Sequence, residues 1–137
     1  MKTIAKFIVV LLLASSGSTF ACSCIEPGSV EEEIKESDVV FVGTVISKKI
    51  IGGFQAEYWF KIEVVYKGVT TINKVKVITG VGGSDCGYNF KKGEKYIVYG
   101  WIQEKAIGTS ICSRTKHYDV DEAKEIEKFA KRREPIK

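Results

Sequence analysis

Histidine, methionine and proline are scarce: the 137 residues include one His, one Met and two Pro. The one histidine, His117, lies in a polar stretch with no evident partner and reads as a surface residue. There is no Ser/His/Asp set around a nucleophile turn and no His-Glu-x-x-His. The run Gly80-Val81-Gly82-Gly83-Ser84-Asp85 is glycine-rich, but no Gly-Lys-Ser/Thr follows it and no helix opens there. It therefore reads as a flexible connector and not as a phosphate loop. Carboxylates are plentiful, yet no pair sits in an apolar context that would split its pKa values. These absences argue against an enzyme. A strong charge of one sign is missing too. Lys and Arg number 21 against 17 Asp and Glu, a net +4, with the two signs interspersed. That is too weak to imply nucleic acid or an anionic membrane as a partner. No repeat, low-complexity tract or interdomain linker is visible, and the chain beyond the first residues has the size of one domain.

The apolar run that does exist is short and lies at the start. Lys2 and Lys6 precede Phe7 to Ala14, and Ser15-Ser16-Gly17-Ser18 follow. A positive end, a brief apolar core and small residues at Thr19 and Ala21 form the pattern of a cleavable export signal over residues 1–21. The core is too short to span a bilayer, which needs roughly 20 apolar residues. Cleavage after Ala21 makes Cys22 the first mature residue. It also removes Lys2 and Lys6, taking the net charge from +4 to +2. Acylation of Cys22, as in bacterial lipoproteins, is the alternative, but Thr19 and Phe20 fit that signal poorly. The expected location is secreted or extracytoplasmic, with no transmembrane segment after cleavage.

All four cysteines, Cys22, Cys24, Cys86 and Cys112, follow that site. An even count in a small exported chain reads as a disulfide framework. A Cys22–Cys24 bond would be strained by its one-residue gap. The two remaining pairings both tie the new N-terminus to distant segments, each closing a long loop worth roughly 4 kcal/mol in the chain-entropy model. The spacing is not that of a zinc finger.

Ser29 and Glu32 predict a capping box for a short helix over Val30–Glu36. The β-branched run from Val39 to Ile46 predicts a strand buried on both faces. From Phe54 to Lys67 the residues alternate. Phe54, Ala56, Tyr58, Phe60, Ile62, Val64 and Tyr66 fall on a core face; Gln55, Glu57, Lys61, Glu63 and Lys67 share the wet face with Trp59 and Val65. Further strands are expected over Asn73–Thr79, Lys95–Gln103 and Ala106–Cys112. Asp119 or Asp121 caps a C-terminal helix with Val120, Ala123, Ile126, Phe129 and Ala130 as its apolar stripe. Five strands with a terminal helix fit a small closed barrel, which leaves few exposed edges; an open sandwich is the alternative.

The mature N-terminus is where chemistry is available. A free α-amine has a pKa of roughly 7.7–8.0, so part of it is neutral at physiological pH. Its nitrogen and the carbonyl oxygen of the same residue can close a five-membered chelate on a metal, and a catalytic zinc keeps a position open for such ligands. A disulfide at that residue would present it rigidly, lowering the ordering cost of binding.

Cys22-Ser23-Cys24 at a cleaved terminus resembles the start of the tissue inhibitors of metalloproteinases (TIMP) and the related netrin-like (NTR) modules. The resemblance continues through Ser37-Asp38-Val39-Val40-Phe41, Val64-Val65-Tyr66-Lys67-Gly68, Ser84-Asp85-Cys86-Gly87-Tyr88 and Tyr96-Ile97-Val98-Tyr99-Gly100, and ends at Cys112. It implies a mainly β fold over residues 22–137, a five-stranded OB-fold barrel with a C-terminal helix. It also implies two disulfides, Cys22–Cys86 and Cys24–Cys112. As an inhibitor of this kind, the chain would chelate the zinc of a target protease through Cys22 and point Ser23 into the specificity pocket. Cys24, Ser84 and Asp85 would pack beside the cleft, and the loop near Ile50–Gln55 would add contacts. No cofactor of its own is implied; the zinc belongs to the protease. The family's third disulfide and C-terminal domain have no counterpart here, and Glu26 stands where many members have proline. A netrin-like extracellular binding module, using the barrel surface around Trp59 for a protein or glycan and inhibiting nothing, is the second reading.

Overall fold

The computed structural model describes residues 22–68 and 73–133. The expected signal over residues 1–21 lies outside the described residues. In chain order the elements are α1 (Val30–Glu36), β1 (Val39–Ile51), β2 (Gln55–Lys67), β3 (Lys74–Gly80), β4 (Lys95–Gln103), β5 (Ala106–Gly108), β6 (Lys116–His117) and α2 (Val120–Phe129). Ser29 and Glu32 do form the capping box of α1, and the Asp119 carboxylate accepts from the Asp121 backbone N–H at 2.9 Å to start α2. Among the described residues no helix is long and apolar enough to cross a membrane.

The strands form a mixed sheet in the order β1-β2-β3-β5-β4-β6. β1 also pairs with β4, so five strands close into a ring and β6 lies outside it against β4. Only the β3–β5 pairing is parallel. The five expected strands are those of the ring, and the two-residue β6 is an addition that the sequence reading did not include. The segment expected as a strand to Cys112 leaves the ladder at Gly108, because side chains take over its backbone groups. Ser110 Oγ accepts from the Cys112 N–H at 3.2 Å, and the Ser113 hydroxyl donates to the Ser110 carbonyl at 2.9 Å. The chain then re-enters the sheet at Lys116.

Two apolar layers result. Phe41, Phe60, Phe90, Tyr96 and Val98 fill the inside of the ring. Val40, Val42, Val64, Tyr66, Ile97 and Tyr99 face outward and are covered by Val30 and Ile34 of α1 and Ala123 and Ile126 of α2. β2 contributes to both through a bulge. Val42 pairs with Val64 while Gly43 pairs with Ile62, which leaves Glu63 as an extra residue. A single inserted residue reverses the alternation beyond it. Val65 therefore turns into the ring and is buried, while Val64 and Tyr66 turn out toward the helices, correcting the single core face expected for this strand. Phe54 is also corrected: it sits in the β1–β2 turn and is 70% exposed. On α2, Val120 and Phe129 are exposed, and the buried members are Ala123, Ile126 and, unexpectedly, Glu122.

Candidate functional site

The segment 22–29 has no regular secondary structure and is held from both sides. Cys22 is bonded to Cys86 and Cys24 to Cys112, with Cα separations of 5.3 and 5.0 Å. The Cys86 carbonyl accepts from the Ile111 N–H at 2.9 Å, which sets the two anchoring segments side by side. All four sulfurs lie within 4.8 Å of one another, and with none of the cysteines free they are occupied by each other. Between the bridges Ser23 is exposed, and just beyond them Ile25 is 91% exposed. Cys86 has a left-handed backbone, φ 57°, a conformation that costs an L-residue on the order of 1–2 kcal/mol.

Asp85 fixes the loop beside this terminus. One carboxylate oxygen accepts from Val81 N–H at 2.8 Å; the other accepts from Gly82 at 2.9 Å and Gly87 at 3.0 Å. The Gly87 N–H first, with those of Val81 and Gly82, holds the carboxyl below its ordinary range. Gly87 must be glycine, since a Cβ there would run into the Gly80 carbonyl. The stretch expected as a loose connector is thus a loop fastened on one side chain. An Asp two residues before a glycine in a glycine-rich run is the signal that points to it. Asp85→Ala is expected to leave the ring of strands folded and to speed amide hydrogen exchange at Val81, Gly82 and Gly87; unchanged protection would show that the carboxylate does not hold the loop. Because the folded carboxyl is depressed, the fastening is complete above the unfolded value near 3.8 and is lost as pH falls through the lower folded value.

A third support comes from below. Arg114 Nη1 donates to the Gly28 carbonyl at 2.9 Å. Its Nε and Nη2 donate to Glu122 of α2 at 2.6 and 3.0 Å. Glu122 also accepts from the buried Tyr99 hydroxyl at 2.9 Å. The Glu122 hydrogen bond comes first among the causes that raise the Arg114 pKa, and burial first among those that raise the Tyr99 pKa. This group escaped the sequence reading because its members meet only through the fold.

The structure thus brings Cys22, Ser23, Cys24, Cys86 and Cys112 together, with Asp85 and Ser84 in the adjoining loop. The Ile50–Gln55 turn reaches the same side, where Phe54, Gln55 and Asp85 line one cleft. Trp59, on the outer face of β2, donates its indole N–H to Glu57 at 3.3 Å and stands apart from the terminus in the ladder. His117 is exposed, as expected, but has company: Nδ1 lies 3.3 Å from Glu94 and the ring rests on Tyr96.

No family model matches the sequence. An NTR domain-containing protein of Margaritifera margaritifera is 31% identical over 114 residues, covering 80% of this chain and 76% of the relative. The strands, the paired bridges at the Cys-Ser-Cys segment and this identity lead to one conclusion: the chain belongs to the NTR domain family.

Proposed function

We propose that the chain is exported, is cleaved after Ala21, and inhibits a zinc metalloprotease through Cys22. The observation that carries this reading is the double clamp on Cys22 and Cys24 with Ser23 exposed between them. The Cys22 amine nitrogen and carbonyl oxygen chelate the protease's zinc in place of its water. Ser23 enters the specificity pocket, and Cys24, Ser84 and Asp85 pack along the cleft. Belonging to a generally non-catalytic family supports binding over turnover, and the disulfides fit an oxidising compartment. The clamp matters because a terminus already fixed in one geometry loses little further freedom on docking.

The test uses the amine itself. At roughly pH 6–7 lysine side chains, pKa near 10.4, stay protonated while part of the α-amine is neutral, so mild acetylation modifies Cys22 selectively. The acetylated protein is expected to lose inhibition of a zinc endopeptidase in a fluorogenic-peptide assay, with its thermal transition unchanged. Equal inhibition before and after acetylation overturns the chelation.

A further inference from the structure

Beside the cysteine clamp lies an open cleft of about 300 Å³, which shares Asp85 and the Ile50–Gln55 turn with the inhibitory reading but extends beyond them to Ile78, Trp101, Gln103 and Thr109. It lies over the end of β3, between the β1–β2 turn with the start of β2, the end of β4, and the segment just after β5. Two exposed aromatic rings frame it: Phe54, 70% exposed, and Trp101, 43% exposed. Both are seated on glycine. A Cβ on Gly52 would strike the Phe54 ring, and a Cβ on Gly108 would strike the Trp101 indole. Each ring therefore packs close over a glycine backbone while staying partly open to solvent.

The polar lining is neutral. Among the described residues that line the cleft, Asp85 alone carries a charge, and its two oxygens are taken by the three backbone N–H groups described above. The next outward side chain along β3 from Ile78 is Lys76, which is paired with Glu57 at 3.4 Å. Gln55 and Gln103 also line the cleft, and the amide of each is without a hydrogen-bond partner among the described residues. The Trp101 indole N–H is likewise unpartnered there.

From these features we infer that the cleft is a binding site for a neutral oligosaccharide. A pyranose ring has an apolar C–H face that lies flat on an aromatic ring, and equatorial hydroxyls at its edge that both donate and accept. An amide side chain, which does both as well, is the matching partner. The absence of an unpaired cation among the described lining residues disfavours nucleic acid and sulfated glycans, which need their charge neutralised. β3 is paired on both sides, to β2 and β5, so no free strand edge is offered to an extended peptide. Small five-stranded barrels use the face of strands two and three with its bordering loops for oligonucleotides and oligosaccharides, and the uncharged lining here favours the latter.

The chain has two tryptophans, so Trp59→Phe leaves Trp101 as the sole indole reporter. Disulfide-bonded Trp59→Phe protein is titrated with cellohexaose, chitohexaose, xylohexaose and mannohexaose, and with a heparin fragment for comparison. At least one neutral hexaose is expected to shift Trp101 emission saturably. Calorimetry is expected to show at least tenfold weaker binding with Phe54→Ala or Gln103→Ala, and none with Trp101→Ala. Acetylation at Cys22 leaves the binding unchanged, which separates this site from the zinc chelation. No saturable response to any neutral hexaose at millimolar concentration, binding of the heparin fragment alone, or binding that survives Phe54→Ala and Trp101→Ala together overturns the inference.

Discussion

On the proposed chelation by Cys22, a protein with one alanine placed before that residue is expected to lose at least a thousandfold in protease inhibition, about 4 kcal/mol. The extension turns the Cys22 nitrogen into an amide, which has no basic lone pair for zinc. The new amine sits one residue further out, about 3.3–3.6 Å along the chain, on a residue that no bridge holds. Its chelate would form from a mobile terminus, giving up the freedom that the clamp removes in advance. The added residue also meets the protease surface that Cys22 should approach directly. The inhibition constant of the extended and unextended proteins is the measurement, with the thermal transition as a check on folding. Constants within tenfold of each other would remove Cys22 from the mechanism.

The second large effect lies under the site. Glu122→Ala is expected to destabilise the protein by about 3 kcal/mol. That is the lower end of what breaking a buried ion pair costs, because Arg114 keeps some access to water. The substitution removes the carboxylate from Arg114, which keeps its bond to the Gly28 carbonyl, and leaves the Tyr99 hydroxyl, fully buried, without its acceptor. Against a typical total of about 5–15 kcal/mol for a domain, the loss is a large share. It is read from the urea midpoint at unchanged slope. Glu122→Gln retains an acceptor for Tyr99 and should fall between the two. A loss below about 1 kcal/mol for Glu122→Ala would mean that the network adds nothing beyond surface pairing.

The helix over Val30–Glu36, its capping box and the four long strands were legible because each carries a local signal: a cap, a period or a β-branched run. What sequence could not reveal was set by events without a compositional mark. Glu63 looks like any residue of the wet face, yet as the bulge it sends Val65 inward and Val64 and Tyr66 to the helices. Phe54 continued the alternation on paper, but the turn at Gly52-Gly53 takes it out of the strand. Val120 and Phe129 had the right spacing for a packed stripe; the sheet reaches only the middle of the helix, and the buried place goes to Glu122 because Arg114 and Tyr99 arrive from elsewhere to satisfy it. At the site, the cysteines were legible by type and count. The fastening of the Gly80–Gly87 loop on Asp85, and the cleft between Phe54 and Trp101, needed the fold to bring distant segments together.

The two bridges have one more effect, which concerns survival under attack. Cys22 reaches forward to Cys86, and Cys24 reaches past it to Cys112, so the closed loops overlap. Any single backbone cut between residues 22 and 112 leaves both pieces joined through sulfur. A cut after Cys22 leaves it hanging from Cys86, and one between 86 and 112 leaves the tail hanging from Cys24. A single cut anywhere in that span therefore sheds no fragment, because the overlapping bridges hold both pieces together.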